Sequence, residues 1–440
     1  MSKSYTASTL ALLLASGLTA CGGPPVPREA QMGPDPRLPA VNQPLIPAIH
    51  IAPAIGWPVG RTPTAAAGLR VAAFAEGLDH PRWIYVLPNG DVLVAESNGP
   101  AAPIKRPKDL VLHVVDQAAG AATPSADRIT LLRDANGDGV PETRTVFLSG
   151  LHSPFGMALV GNDLYVADTD ALLRFGYVPG ETKIREHGVK VMDLPAGPID
   201  HHWTKNVLAS RDGAKLYVTV GSNSNVGENG LEGEAGHAAI YEVDRARGFW
   251  RPFATGLRNP NGMALEPVTG ALWAVVNERD ELGGDLVPDY LTSVKDGGFY
   301  GWPYSYWGQH VDRRVRPQRP DLVARAIKPD YGLSSHVAPL GLTFYGSDAL
   351  PGYRGGAFIG EHGSWDRQQL NGYKVVFVPF AGGRPSGLPR DVLTGFLSAD
   401  GRAYGRPVGV SVDRTGALLV ADDVGDKVWR VTAAKPGDRR

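Results

Sequence analysis

A phrase that recurs six times constrains this chain more than any other feature. It reads GLDHPRWIYVLPNGDVLVAES from Gly77, GLHSPFGMALVGNDLYVADT from Gly150 and HHWTKNVLASRDGAKLYVTVGSN from His201. It returns as GLRNPNGMALEPVTGALWAVVNERDELG from Gly256, HVAPLGLTFYGSDALPGYRGGAFIGEHG from His336 and GRPVGVSVDRTGALLVADD from Gly405. Each copy sets two alternating apolar segments around a turn such as Asn89-Gly90 or Asp212-Gly213, the signature of a β-hairpin. Helical periodicity is scarce. The copies stand roughly 50 to 80 residues apart, enough for a four-stranded blade of about 40 to 50 residues plus a loop. One small sheet cannot bury both of its faces, whereas six in a ring can, and closure leaves few free edges. The predicted fold is all-β, a six-bladed β-propeller over residues 69–432. Two smaller β-domains are the alternative that length alone permits. The 55 glycines and 37 prolines suit a turn-dense chain.

Outside the repeat, residues 1–20 carry an early lysine, the apolar run Leu10-Ala11-Leu12-Leu13-Leu14 and the ending Leu18-Thr19-Ala20 before Cys21. This is a secretory signal pattern. It resembles a bacterial lipoprotein signal, which implies cleavage before Cys21 and lipid attachment to it. An ordinary signal peptide with an incidental cysteine is the alternative. Cys21 is the single cysteine of the chain, so no intrachain disulfide is available. Gly22, rather than an aspartate, follows it, which points to the outer membrane and a periplasm-facing protein. The apolar run is too short to stay as a spanning helix, so the membrane is reached by the lipid anchor only. Residues 21–68 are Pro-rich and read as a semi-extended tether, and 433–440 as a polar tail. A net charge of -1 gives no argument for nucleic acid.

Four clusters carry chemistry. Asp200-His201-His202-Trp203-Thr204-Lys205-Asn206 enters one copy, where a histidine suits a general base near neutrality; a loop histidine bonded to backbone is the plainer reading. Arg258-Asn259 stands at the same point of the next copy, and a guanidinium there suits carboxylates or quinone oxygens, or an ion pair between blades. The loop with Asp280, Glu281, Gly283, Gly284 and Asp285 offers oxygens to a hard cation, or is a solvated charged loop. Asp134, Asn136 and Asp138, with Gly139 next, match the start of a calcium loop, but Thr145 holds the twelfth position where such loops carry glutamate. An Asp/Asn/Gly turn is the alternative there. The aromatic run from Phe299 to Trp307 reads as packing between blades, or as a wall for a sugar ring.

In order, HHWTKN, GLRNPNG, NERDELGGDLVPDY, GGFYGWPYSYWG, HVAPLGLTFY and GEHGSWDR closely resemble the glucose/sorbosone dehydrogenase family, nearest its sorbosone dehydrogenase-like branch. The resemblance covers about residues 69–431. It implies a six-bladed propeller holding pyrroloquinoline quinone (PQQ) and Ca²⁺. His202 then matches the catalytic base, and Arg258 and Asn259 the cofactor-contacting pair, with Arg258 stabilising charge on the quinone oxygen. Arg367 and Arg406 match basic contacts to the cofactor, and His201 is grouped with them. Asp280 and Glu281 match the Ca²⁺ segment, there largely through backbone oxygens. The soluble glucose branch has an acid where this chain has Ser222, which leaves His201 or Glu278 to orient His202.

The implied function is oxidation of an aldose or a sugar aldehyde such as sorbosone, by hydride transfer to the quinone. With no Cys-x-x-Cys-His haem motif, electrons would pass to a separate quinone or cytochrome acceptor. Two other classes stay open. A Ca²⁺-dependent lactonase-type hydrolase would need carboxylates converging on one ion and has no use for the arginines. A non-catalytic propeller lipoprotein would bind a glycan or a partner at its mouth.

Overall fold

The computed structural model describes residues 26–43, 49–100, 117–197 and 200–435. The signal segment, Cys21 and the last five residues lie outside the described residues.

Six four-stranded antiparallel sheets account for the six copies. Blade I comprises Pro81–Val86, Val92–Glu96, Arg128–Arg133 and Thr143–Ser149, from the axis outward. Blade II comprises Met157–Val160, Asp163–Ala167, Ala171–Gly176 and Val189–Asp193. Blade III comprises Val207–Ala209, Lys215–Val220, Ala239–Asp244 and Phe249–Thr255. Blade IV comprises Asn259–Leu265, Leu272–Asn277, Pro288–Ser293 and Tyr331–Ser335. Blade V comprises Pro339–Tyr345, Gly356–Glu361, Lys374–Ala381 and Arg390–Thr394. Blade VI takes Pro407–Val412, Leu418–Asp422 and Lys427–Ala433 from the end of the chain and Leu69–Glu76 from its beginning. That last pairing, Leu69 opposite Ala433 through Glu76 opposite Lys427, closes the ring. The propeller expected from the sequence is the fold observed. Each repeated phrase supplies the two inner strands of one blade.

The glycine of the phrase has a packing cause. Inner strands of neighbouring blades meet near the axis. A Cβ on Gly262 would stand 2.7 Å from the Leu340 carbonyl, and one on Gly341 would stand 2.2 Å from the Val408 carbonyl. No side chain fits such an approach, so the axial ring selects glycine. Between the blades the cores are apolar: Phe147, Phe155, Leu93 and Val94 are fully buried in one, and Trp429, Phe358 and Val420 in the next.

The Pro-rich segment differs from its expectation as a tether. Met32–Gly33 adds a fifth strand to blade IV through Leu333 and Gly332, and Thr64–Ala65 pairs with Leu393 and Thr394 of blade V. Between them, Asn42 N–H donates to the Leu282 carbonyl, His50 N–H to Trp365 and Ile55 N–H to Ala403. Trp57 packs edge-on against Trp429 at 5.2 Å and stacks on Tyr404 at 5.5 Å. The segment is therefore a strap laid over the end where the inner strands begin, here called the mouth. Composition concealed it because, apart from these two short strand pairings, the strap's donors are satisfied singly, by loops, and leave no periodic pattern.

Candidate active site

Residues that precede each inner strand and follow each second strand gather at the mouth. His202 lies in the loop entering blade III. That loop is fixed from below by Lys205, fully buried, whose Nζ donates to Asp200 Oδ1 at 3.1 Å and to the His202 carbonyl at 3.1 Å. His202 Nδ1 lies 2.7 Å from the Ser222 carbonyl and 3.0 Å from Ser222 Oγ. A carbonyl only accepts, so Nδ1 carries the proton and Nε2 the lone pair. Ser222, rather than His201 or Glu278, thus sets the tautomer. Burial, and then the nearby Arg258 and His201, hold His202 well below the ordinary histidine value. His201 is exposed, its ring edge-on to His202 at 4.6 Å. Gly221 runs between His202 and Asn259; a Cβ there would stand 2.5 Å from both the His202 Cβ and Asn259 Oδ1.

Arg258 is almost wholly buried, and four of its five N–H groups are spent within the protein. They reach the Asn225 carbonyl, Asn225 Oδ1, the Glu278 carbonyl and Asp280 Oδ2, the last at 2.9 Å. One N–H on Nη1 remains, and the guanidinium charge lies close enough to His202 to lower it. Trp302 Nε1 donates to the same Asn225 carbonyl at 2.9 Å. The aromatic run is core, with Tyr300, Trp302, Tyr306 and Trp307 all buried.

The acidic loop also departs from expectation. The Asp280 carboxylate takes Arg258 on one oxygen and His336 Nδ1 on the other at 3.2 Å. Its carbonyl accepts from Arg314 Nη1 at 2.9 Å and Asn225 Nδ2 at 3.2 Å, and the Glu281 carbonyl accepts from Gln43 at 3.3 Å. Asp280, His336 and Asp366 converge at ligand spacing, within 4.8 Å. However, His336 Nε2 also faces the Gly283 carbonyl at 3.2 Å. Burial opposes its charge, but the bond and charge of Asp280 push His336 up to about 9. Arg258, His336 and Arg314 therefore hold the oxygens of Asp280, and a calcium ion does not fit the Asp280 carboxylate as it stands. The loop with Asp134, Asn136 and Asp138 sits at the opposite end of blade I. Asp134 accepts Gly137 and Gly139 N–H groups, and Asp138 accepts Val140 N–H, while carboxylate oxygens of Asp134, Asp138 and Glu142 stand within 4.8 Å of one another, at ligand spacing.

Across the mouth lies a cavity of about 160 Å³ bordered by His80, Arg82, Trp203, His362, Arg406 and Asp423. Asp423 Oδ2 receives Arg82 Nη1, His362 Nε2 at 2.8 Å and His80 Nε2 at 3.5 Å. Burial favours the neutral acid, but these three groups outweigh it and hold Asp423 well below the carboxylate range. Burial takes His80 down to about 4. Arg82 and Arg406 each leave a buried Nε–H without a partner, and Asn259 leaves a buried Oδ1 without one. Arg406 otherwise donates to the strap's Ala52 carbonyl at 3.1 Å and lies over Tyr373. Arg406 thus borders this cavity, and Asn259 lies beside Gly221 next to His202. Arg367 pairs with Asp285 at 2.9 Å, beneath the strap. Sequence reasoning gave no role to His80, Arg82, His362 or Asp423. The available signal was position, since His80 directly precedes the first inner strand, which begins at Pro81, and Arg406 directly precedes the last, which begins at Pro407.

Fold and site together define a six-bladed propeller whose mouth gathers histidines, buried arginines and carboxylates. A glucose/sorbosone dehydrogenase family model matches residues 78–375, and the chain belongs to that family. A TrAA12-like model matches 321–434. Among relatives, an uncharacterized protein of Borreliella burgdorferi is 28% identical over 64% of this chain and 76% of its own length. Aldose sugar dehydrogenase YliI of Escherichia coli is 34% identical over 28% of this chain and 32% of its own length. The PQQ-dependent pyranose dehydrogenase of Coprinopsis cinerea is 26% identical over 71% of this chain, which spans 44% of that protein. The holo PQQ domain of the Coprinopsis cinerea pyranose dehydrogenase shares the fold with a TM-score of 0.66 at 22% identity, over 87% of this chain and all of that one.

Proposed function

We propose that the protein is a PQQ-dependent dehydrogenase that oxidises an aldose or a hydrated sugar aldehyde at the propeller mouth. The observation that carries this reading is His202, locked as the Nδ1–H tautomer by Ser222, across the mouth from buried arginines with unpaired N–H groups. Arg82 and Arg406 suit carboxylates of a planar anionic cofactor, Asn259 Oδ1 suits a ring N–H, and Trp203 offers a face for stacking. When bound, PQQ supplies a two-electron acceptor for hydride. His202 Nε2 takes the proton of the substrate hydroxyl as hydride leaves the adjoining carbon, so the alcohol carbon is oxidised and the proton is held on the imidazole. The strap and Trp203 narrow the water-accessible mouth. The reading extends to an exported protein, lipid-modified at Cys21, whose electrons pass to a separate quinone or cytochrome.

Purified protein supplied with PQQ is expected to reduce an artificial dye when given an aldose. His202→Ala is expected to lower kcat by about 10²- to 10⁴-fold, the usual scale for a general base, while PQQ binding persists. A protein that fails to bind PQQ overturns the proposal.

A further inference from the structure

We infer that the propeller docks mouth-first on a lipid bilayer, with the strap as its contact surface. The inference rests on the reading of Cys21 as lipid-modified, and its first support is a length. Val26 N–H donates to Asp285 Oδ2 at 3.0 Å, and Gln31 Nε2 donates to Asp285 Oδ1 at 3.0 Å. Gln31 is fully buried, so this end of the strap is part of the packed body. Asp285 belongs to the loop that carries Asp280, at the mouth. From Cys21 to Val26 is five residues, and a fully extended chain covers at most about 3.6 Å per residue, or roughly 18 Å. An acyl anchor on Cys21 thus holds the mouth, rather than the far end, within about two nanometres of the headgroups.

The second support is independent of the anchor. On the strap, Val41, Ile49, Ile55 and Val59 are 48%, 42%, 42% and 106% exposed. Each strap attachment between them, to Leu282, Trp365 and Ala403, is to a mouth-end loop, so these side chains ring the mouth. Residues 26–67 hold Arg28, Arg37 and Arg61 against Glu29 and Asp35, nearly balanced charge. The contact is therefore apolar and does not call for anionic lipid. Apolar side chains exposed around this rim suit an apolar contact, and the short reach to the anchor selects the bilayer as occupant. An electron acceptor dissolved in that bilayer then meets the mouth directly.

The test uses the full-length lipidated protein in neutral phosphatidylcholine vesicles. Cys21 is blocked by its own modification, so Ile55→Cys and Val59→Cys each give a single site for a nitroxide label. Val268→Cys, 77% exposed at the opposite end, serves as control. The labels at 55 and 59 are expected to lose collisions with an aqueous nickel chelate and gain collisions with oxygen, while the label at 268 stays in water. Equal water access at all three sites overturns the inference, as does a mature chain whose mass shows no acyl group. Dye reduction with PQQ and aldose, measured on the same samples, reports separately on the proposed activity.

Discussion

At the scale of single residues, the base is defined by what its far nitrogen touches. Ser222 offers a carbonyl where an acid would be the usual partner, so it fixes the tautomer of His202 without adding negative charge. The neighbouring charge is instead positive. Burial and Arg258 lower the histidine, so the neutral form persists to acidic pH, and the acidic limb of the rate profile falls below the ordinary value of about 6.5. Removing the cation removes a lowering effect. Arg258→Gln is therefore expected to move that limb in log(kcat/KM) to higher pH, while Arg258→Lys leaves it nearly in place. Chelation tests the acidic loop. Because Arg258, His336 and Arg314 hold the oxygens of Asp280, dialysis against EDTA is expected to leave PQQ affinity unchanged, as read by fluorescence titration. A tenfold loss that calcium restores contradicts this. His202, Arg258 and Asn259 were legible because they sit in ordered motifs. The partners of Arg258 were not, since Asn225 and Asp280 lie 33 and 22 positions away in sequence and only the blades bring them together.

At the scale of elements, the hairpins were legible and the strap was not. Alternation survives in a strand because its neighbours repeat, and each inner glycine marks a backbone approach that a Cβ would block. The strap has neither signal; its order comes from a few anchoring side chains. Trp57 is one of these. Its Nε1 donates to Asp422 Oδ2 at 2.6 Å, and Trp429 Nε1 donates to the same oxygen at 2.9 Å. Asp422 Oδ1 meanwhile accepts from the Arg406 and Gly425 N–H groups, so one carboxylate ties the strap, blade VI and an arginine of the mouth together. Trp57→Ala is expected to cost roughly 3 kcal/mol, the low end for a packed large aromatic, measured by urea denaturation. It is also expected to raise the KM for PQQ, because the Ala52 carbonyl on Arg406 belongs to the same stretch.

At the scale of the whole molecule, pH links the site to stability. His336 is raised to about 9 by Asp280 against an unfolded value of about 6.5. Between these values the native state binds more protons than the unfolded one, so stability falls as pH rises. The contribution is fully present below about pH 6.5 and lost above about 9, on the order of 3 kcal/mol at most. Calorimetry is expected to show Tm declining over that window, and His336→Gln is expected to flatten the decline. Ring closure has a different consequence, one of timing. Blade VI joins Leu69–Glu76 to a hairpin that begins at Pro407, so the first propeller strand has no partner until nearly the whole chain exists. A contact so remote in sequence forms slowly. During synthesis the nascent chain holds up to five blades and an unclaimed strand, and it commits to a closed body only when the C-terminal hairpin arrives.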